Sequence, residues 1–307
     1  MRVMESKSLL ITGLIPYDSG KTFLAINLLK EFRVRGLDTG VSKPVAGHSL
    51  WYQWSTYVDS LREKVLVGQD AISLKKISGS RDPLEVINPV DLATIPPDLL
   101  LRDLRDIEFL YTSYINARSI DITALGRVSM CRDNGDIDTN HFIIKDFIKK
   151  LNEPNKELIY DLAAKLEPKP IEINREDFIK VLHEKFVYID RCLEKVMREH
   201  KLTIIESFND AATPTRKALE SDIVVVVLPG RLFVYNGSRY KMAFEVISDV
   251  MKNTINPFKR WVSTREVVRL LGGSYKYTLE IPHFLEEKKF RDKVSQLTDL
   301  LLNSLGI

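Results

Sequence analysis

The stretch that most constrains this chain is LLITGLIPYDSGKTFLAINLL, residues 9–29. It reads as one buried strand, a short loop ending Gly20-Lys21-Thr22, and an amphipathic helix. A loop that opens directly into a helix gathers unpaired backbone N–H groups and the positive end of the helix dipole, which together suit an anion. In a phosphate-binding loop the lysine ammonium reaches the β- and γ-phosphates and the Ser/Thr hydroxyl ligates Mg²⁺. Lys21 and Thr22 fit those roles, with Asp18, Ser19 and Gly20 at the bend. The strict spacing GxxxxGK[ST] needs glycine at 15, where the chain has Ile15; the nearest upstream glycine is Gly13, so the loop is longer by two residues. The following helix is expected to carry Phe23, Ile26, Leu28 and Leu29 on one stripe and to stop at Gly36.

Further along, short β-rich runs alternate with longer helical patterns. SLLITGL, DTGVSKPVA, LTIIESF, DIVVVVLPG and YKYTLEIP read as strands, and the alternation predicts a three-layer α/β fold with a mainly parallel sheet. Ligands in such sheets bind beyond the carboxyl ends of the strands. Glu206, at the end of LTIIESF, is therefore the candidate second carboxylate of a metal site. In the middle, NPVDLATIPPDLLLRDL should be extended before a helix begins near Pro97. ITALGRVSMCRDNGDIDTNHFII predicts a hairpin about Asp133-Asn134-Gly135, and a long amphipathic helix follows from about Arg175 to His200. Residues 1–307 are read as a single domain, with 105–200 an inserted α-rich cap carrying the β-hairpin. Its helices are expected to cover the sheet; Arg127, Arg132 and His141 are the hairpin residues that would reach the site if the hairpin folds over it.

The 307 residues, 44% hydrophobic and 28% charged, have a formal net charge of only +3 with no basic block, which argues against nucleic acid or an anionic membrane as partner. The longest apolar run, near DIVVVVLPG, is far short of the roughly 20 residues that span a bilayer. MRVMESKS carries no signal-peptide pattern, so a cytoplasmic protein is expected. The two cysteines, Cys131 and Cys192, lack CxxC spacing and read as reduced, buried thiols. The five histidines show no i, i+4 pairing, which leaves a histidine-based metal site without support. Abundant Lys, Glu and Ile would suit a thermophilic source.

Five segments, in order, resemble the dethiobiotin synthetase family of P-loop amidoligases, which includes the cobyrinic acid a,c-diamide synthases. Gly13 leads through a long loop to Asp18-Ser19-Gly20-Lys21-Thr22; GVSKPVAG matches the family's Lys-Pro-Val/Ile with Lys43 and Pro44; GQDAISLKKISG matches its Asp-Ala-x-x-Leu with Asp70. PLEVINPVDLATIPPDL matches its Asn-Pro segment, and IIESFNDAA stands where the family has Val-Glu-Gly-Ala-Gly-Gly. Together they cover most of residues 8–101 and 202–230.

The resemblance implies an Mg²⁺-dependent ATP-binding enzyme that phosphorylates a carboxylate or carbamate in a ligase-type reaction, with GTP as the alternative nucleotide and an unidentified small molecule as second substrate. Gly13, Asp18, Ser19, Gly20, Lys21 and Thr22 would bind the triphosphate, Thr22, Asp70 and Glu206 the metal, and Lys21 and Lys43 the reacting phosphoryl group. Positioning and positive charge are what phosphoryl transfer requires. The chain departs from the family at Ser207-Phe208-Asn209-Asp210-Ala211, in place of the glycine-rich substrate turn, and at His48-Ser49-Leu50-Trp51-Tyr52, which points to a different ligand or a packed lid. Asn256 is the candidate for the family's adenine-recognising asparagine. Ile15 stands where partition and nitrogenase-type ATPases carry a lysine that crosses a dimer, which argues against that kind of switch and leaves a homodimer of the dethiobiotin type open. The competing function is a nucleotide-dependent switch or assembly ATPase/GTPase, in which the triphosphate orders the insertion for a protein or RNA partner.

Overall fold

The computed structural model describes residues 6–98, 107–109, 111–112, 119–251, 261–282 and 286–307. The chain is α/β, with two mixed sheets in which parallel pairings predominate. Strand β1 (Lys7–Gly13) leads through the loop into α1 (Lys21–Val34), and β2 (Thr39–Ser42) follows. Next come β3 (Val45–Ser49), helices α2 (Trp54–Glu63) and α3 (Gln69–Ser78), and β4 (Val90–Thr94). Strands β5 (Thr123–Cys131), β6 (Ile137–Ile144) and β7 (Ile171–Ile173) precede a long helix, Arg175–Glu199. The chain closes with β8 (Leu202–Glu206), β9 (Ile223–Leu228), β10 (Arg231–Asn236) and β11 (Tyr277–Glu280), followed by helix Glu287–Leu305.

The first sheet has the order β11-β10-β9-β1-β8-β2, parallel from β9 to β2 and antiparallel at the β10 and β11 edge. Its strands alternate strictly, because successive side chains point to opposite faces. Leu9, Ile11, Ile223, Val225 and Val227 join the core under α1, α3 and the C-terminal helix, while Leu10, Val224 and Val226 pack on the other side with Leu193, Tyr240 and Val267. Both faces are covered, which gives the three layers. The buried stripe of α1 is Leu24, Ala25, Leu28, Leu29 and Phe32. Leu28 and Leu29 lie on the expected stripe and Ile26 packs at its edge, but Phe23 is half exposed, rotated off the core-facing side.

DTGVSKPVA is not one strand. It breaks at Lys43-Pro44, with β2 in the first sheet and β3 in a second one ordered β3-β4-β5-β6-β7. Proline lacks the N–H that an interior ladder uses, so the chain leaves one sheet there and enters the next. The Lys43 N–H donates to Ile87 O at 2.7 Å, and Pro44 O accepts from Val90 N at 3.0 Å. The expected hairpin is the antiparallel pair β5–β6, built into the middle of this second sheet. The helix expected from Pro97 falls mostly on residues outside those described. No helix among the described residues is long and apolar enough to cross a membrane.

The reading of the cysteines as free thiols is overturned. Cys131, at the end of β5, forms a disulfide with Cys192 of the long helix, with Cα atoms 5.0 Å apart. A separation of 61 residues hides this pairing in the sequence; it arises because helix Arg175–Glu199 packs across β5. The same helix places Phe178 and Leu182 in the core of the second sheet and Leu193 in that of the first.

Where this helix ends, His200 ties two loops together. Its Nδ1 lies 2.9 Å from Asp38 Oδ1 and its Nε2 2.9 Å from Asp82 Oδ2. The hydrogen bond to Asp82, against some burial cost and helped by Asp38, raises the imidazole pKa from 6.5 to about 9. A raised folded-state pKa stabilises the fold fully below the unfolded value and progressively less as pH rises through the folded one. The melting temperature should therefore fall between about pH 6.5 and 9, and a His200→Gln variant should lack that slope. Equal slopes in thermal melts of the two proteins would sink the assignment.

Candidate functional site

Strand register explains why residues so far apart in sequence meet. Ile11 is aligned with Glu206, and Ser42 with Ile205, so Lys43, one residue beyond β2, stands beside Glu206 at the carboxyl ends of β2, β8 and β1. The loop after β1 folds tightly over this edge. At Gly13 a Cβ would lie 2.4 Å from Ser19 Oγ and 2.8 Å from Lys21 Nζ, so a side chain there would displace the Ser19 hydroxyl and the Lys21 ammonium. Gly20, at φ 93°, turns the chain into α1 in a conformation that other residues rarely adopt.

Lys21 is buried, and its ammonium donates to Ser19 Oγ at 3.0 Å and to Asn209 O at 2.7 Å. Thr22 Oγ1 donates to Glu206 Oε1 at 2.6 Å. Lys43 Nζ donates to the same oxygen at 2.5 Å and also to Asp70 Oδ2, from the first turn of α3. Lys21, Thr22, Lys43, Asp70 and Glu206 are thus brought into one contiguous cluster with Gly13, Ser19 and Gly20. Asp18 is exposed beside it, with a left-handed φ of 52°.

The charges tune one another. Burial, reinforced by the Lys43 ammonium and opposed by Glu206, Asp70 and Asp210, lowers the Lys21 pKa to about 8. Lys43 is pushed the other way: burial would lower it, but Glu206 and Asp70 outweigh that and hold it charged. Burial would also raise Asp70, yet Lys43, with hydrogen bonds from Lys43 and Thr22, keeps it below the usual carboxylate range. Glu206 is fully buried and its Oε2 has no hydrogen-bond partner among the described residues, a desolvation cost on the order of 1–3 kcal/mol unless a donor or cation meets it. No group of three or more His, Cys, Asp or Glu side chains is arranged for a metal among the described residues. The oxygen donors at this site are two carboxylates and a hydroxyl, a small set of the kind Mg²⁺ accepts when phosphates and water complete its shell.

Asn88, the asparagine of the Asn-Pro segment, fixes the Lys43 backbone. Its Nδ2 donates to Lys43 O and to Val90 O, each at 2.8 Å, and Arg127 Nη2 donates to both Asn88 O and, at 2.9 Å, Asn88 Oδ1. Arg127 therefore acts from within the second sheet and does not reach over the loop. Arg132 pairs with Asp138 at the surface. His141 accepts from Leu66 N and contacts Pro168 O, and burial, against that contact, lowers its pKa to about 4. His48 packs against Asp91, Nδ1 to Oδ1 2.9 Å, while Trp51 and Tyr52 are exposed. Asn256 lies outside the described residues.

Beside the loop is a cavity of about 310 Å³ that the sequence reading did not foresee. Asp18, Ser19 and Gly20 form one wall and Phe23, Pro229, Gly230, Ile281, Pro282 and Phe290 the others. The signal in the sequence is the Pro229-Gly230 pair after β9. No family model, curated protein or solved structure matches this chain.

Proposed function

We propose that the protein is an Mg²⁺-dependent, nucleoside-triphosphate-binding P-loop enzyme of the dethiobiotin synthetase kind, phosphorylating a carboxylate or carbamate. The observation that carries this reading is the convergence of Lys21, Thr22, Lys43, Asp70 and Glu206 at the carboxyl ends of three adjacent parallel strands. The orphaned Glu206 Oε2, with Asp70 and Thr22 Oγ1, fits a magnesium site. Bound there with the triphosphate, the ion would neutralise charge on the phosphoryl oxygens. Lys21 and the α1 amides hold the β- and γ-phosphates, and Lys43 adds positive charge where it develops during transfer. The carboxylate or carbamate oxygen attacks the γ-phosphorus as the bond to the β-phosphate oxygen breaks, leaving an acyl phosphate and a nucleoside diphosphate.

The cavity beside Ser19 and Gly20 takes the base and ribose. Its volume lies at the lower end of the roughly 300–1,000 Å³ of ligand pockets, and its walls are mostly apolar. Asp18 is the one acidic side chain among the described lining residues. A second reading, a nucleotide-driven switch acting on a protein or RNA partner, draws on the bond chain Lys43–Asn88–Arg127, which links the site to the second sheet.

Equilibrium binding of labelled ATP and GTP, with and without Mg²⁺, tests the common premise; no binding of either sinks both readings. Turnover measured with panels of small acids and amines separates them. Stimulation by one such compound is expected for the enzyme, and slow turnover indifferent to all of them favours the switch.

A further inference from the structure

Both carboxylates assigned to the cation site converge on a single ammonium. Lys43 Nζ is bonded to Asp70 Oδ2 and Glu206 Oε1, and Thr22 Oγ1 donates to that same glutamate oxygen. The backbone of Lys43 is fixed from both sides by Ile87 and Asn88, so only its four-carbon side chain is free to redirect the charge. An ammonium is a compact point charge with three donors. Lys43, Asp70 and Glu206 together sum to one negative charge. A divalent cation drawn to the same carboxylates would stand next to that ammonium in a buried site, where like charges repel strongly.

Resting on the reading of Asp70 and Glu206 as cation ligands, the geometry points to Lys43 as their competing occupant. The ammonium and a divalent cation hold the two carboxylates in turn, and arrival of the cation releases Lys43 toward the phosphates. The device orders events. Nucleotide without metal leaves Lys43 on Asp70 and Glu206, and the positive charge needed for phosphoryl transfer is delivered only when metal is present. It also gives the free protein weak affinity for metal, since binding must first displace a well-bonded lysine.

The test uses Mn²⁺ alone, without nucleotide, followed by electron paramagnetic resonance or calorimetry on the full chain. Lys43→Met should bind Mn²⁺ at least about 10-fold more tightly than wild type, because it leaves two partly or fully buried carboxylates uncompensated. Adding Glu206→Gln should abolish the gain. Lys21→Met removes a nearby ammonium that bonds neither carboxylate and should have a much smaller effect. Unchanged affinity in Lys43→Met, or an equal gain in Lys21→Met, overturns the competition. If Lys43→Met is unfolded without metal, millimolar Mn²⁺ should restore its circular dichroism, and failure to do so counts against the proposal equally. Nucleotide binding by wild type is measured in parallel. Its absence alongside a tight Mn²⁺ site in Lys43→Met would remove the enzymatic reading and leave the competition standing.

Discussion

Replacing Lys21 with alanine is expected to weaken triphosphate binding by about 100-fold, ~3 kcal/mol, the scale of losing one or two hydrogen bonds to a charged group. The ammonium is the one cation seated inside the loop, held over its centre by Ser19 Oγ and Asn209 O. The fold itself should be indifferent to the change, because burial and the neighbouring Lys43 already disfavour the charge and lower its pKa to about 8. The expected pattern is thus a large loss in equilibrium binding of a fluorescent triphosphate and a thermal midpoint close to wild type. A smaller loss is expected for the monophosphate, which lacks the groups that Lys21 reaches. If Lys21→Ala binds triphosphate as wild type does, the loop is not a phosphate site.

Removing the disulfide should cost about 2–4 kcal/mol of stability, near the upper end because the closed loop is long. Cys131 and Cys192 are both buried and enclose a separation of 61 residues. The bond joins the end of β5 to the helix that contributes to the cores of both sheets, so its loss affects more than one packing layer. A Cys131→Ala/Cys192→Ala protein should unfold at lower guanidinium concentration than wild type, and reductant should shift wild type to the same midpoint. A double variant that matches oxidised wild type would refute the claim. Nucleotide affinity should survive in the variant, since the loop cluster draws its contacts from β1, β8, Lys43 and α3.

Much of the site was legible because its chemistry is local. A strand, a loop ending Gly-Lys-Thr and a helix can be recognised from residues 9–29 alone, and Glu206 declares itself as a carboxylate ending an apolar run. Lys43 was marked by the proline after it, although the reason differs from the one the pattern implied: Pro44 ends pairing in one sheet and starts the next strand in another. Hydrophobic pattern does not separate Phe23 from the buried face of α1, since it is as apolar as Leu24 and Phe32 and only the partner surface leaves it half exposed. Asn88 belongs to the Asn-Pro segment and Asn209 to the turn after β8, but nothing in the sequence indicates what either one contacts. One acts through its side chain on a distant backbone and the other through a carbonyl that every residue possesses.

By itself the sequence determined the α/β alternation, the strand, loop and helix of residues 9–29, and the residue types that stand at the loop. Local propensity and side-chain chemistry need no distant partner to act. Only the tertiary structure decided that Cys131 meets Cys192, that the hairpin lies inside a second sheet, and that Lys43, Asp70 and Glu206 share their charges. The first follows from the long helix packing across β5, and the last depends on strand register, because a shift of one residue between β2 and β8 would turn Lys43 to the other face and leave Glu206 buried without its cation.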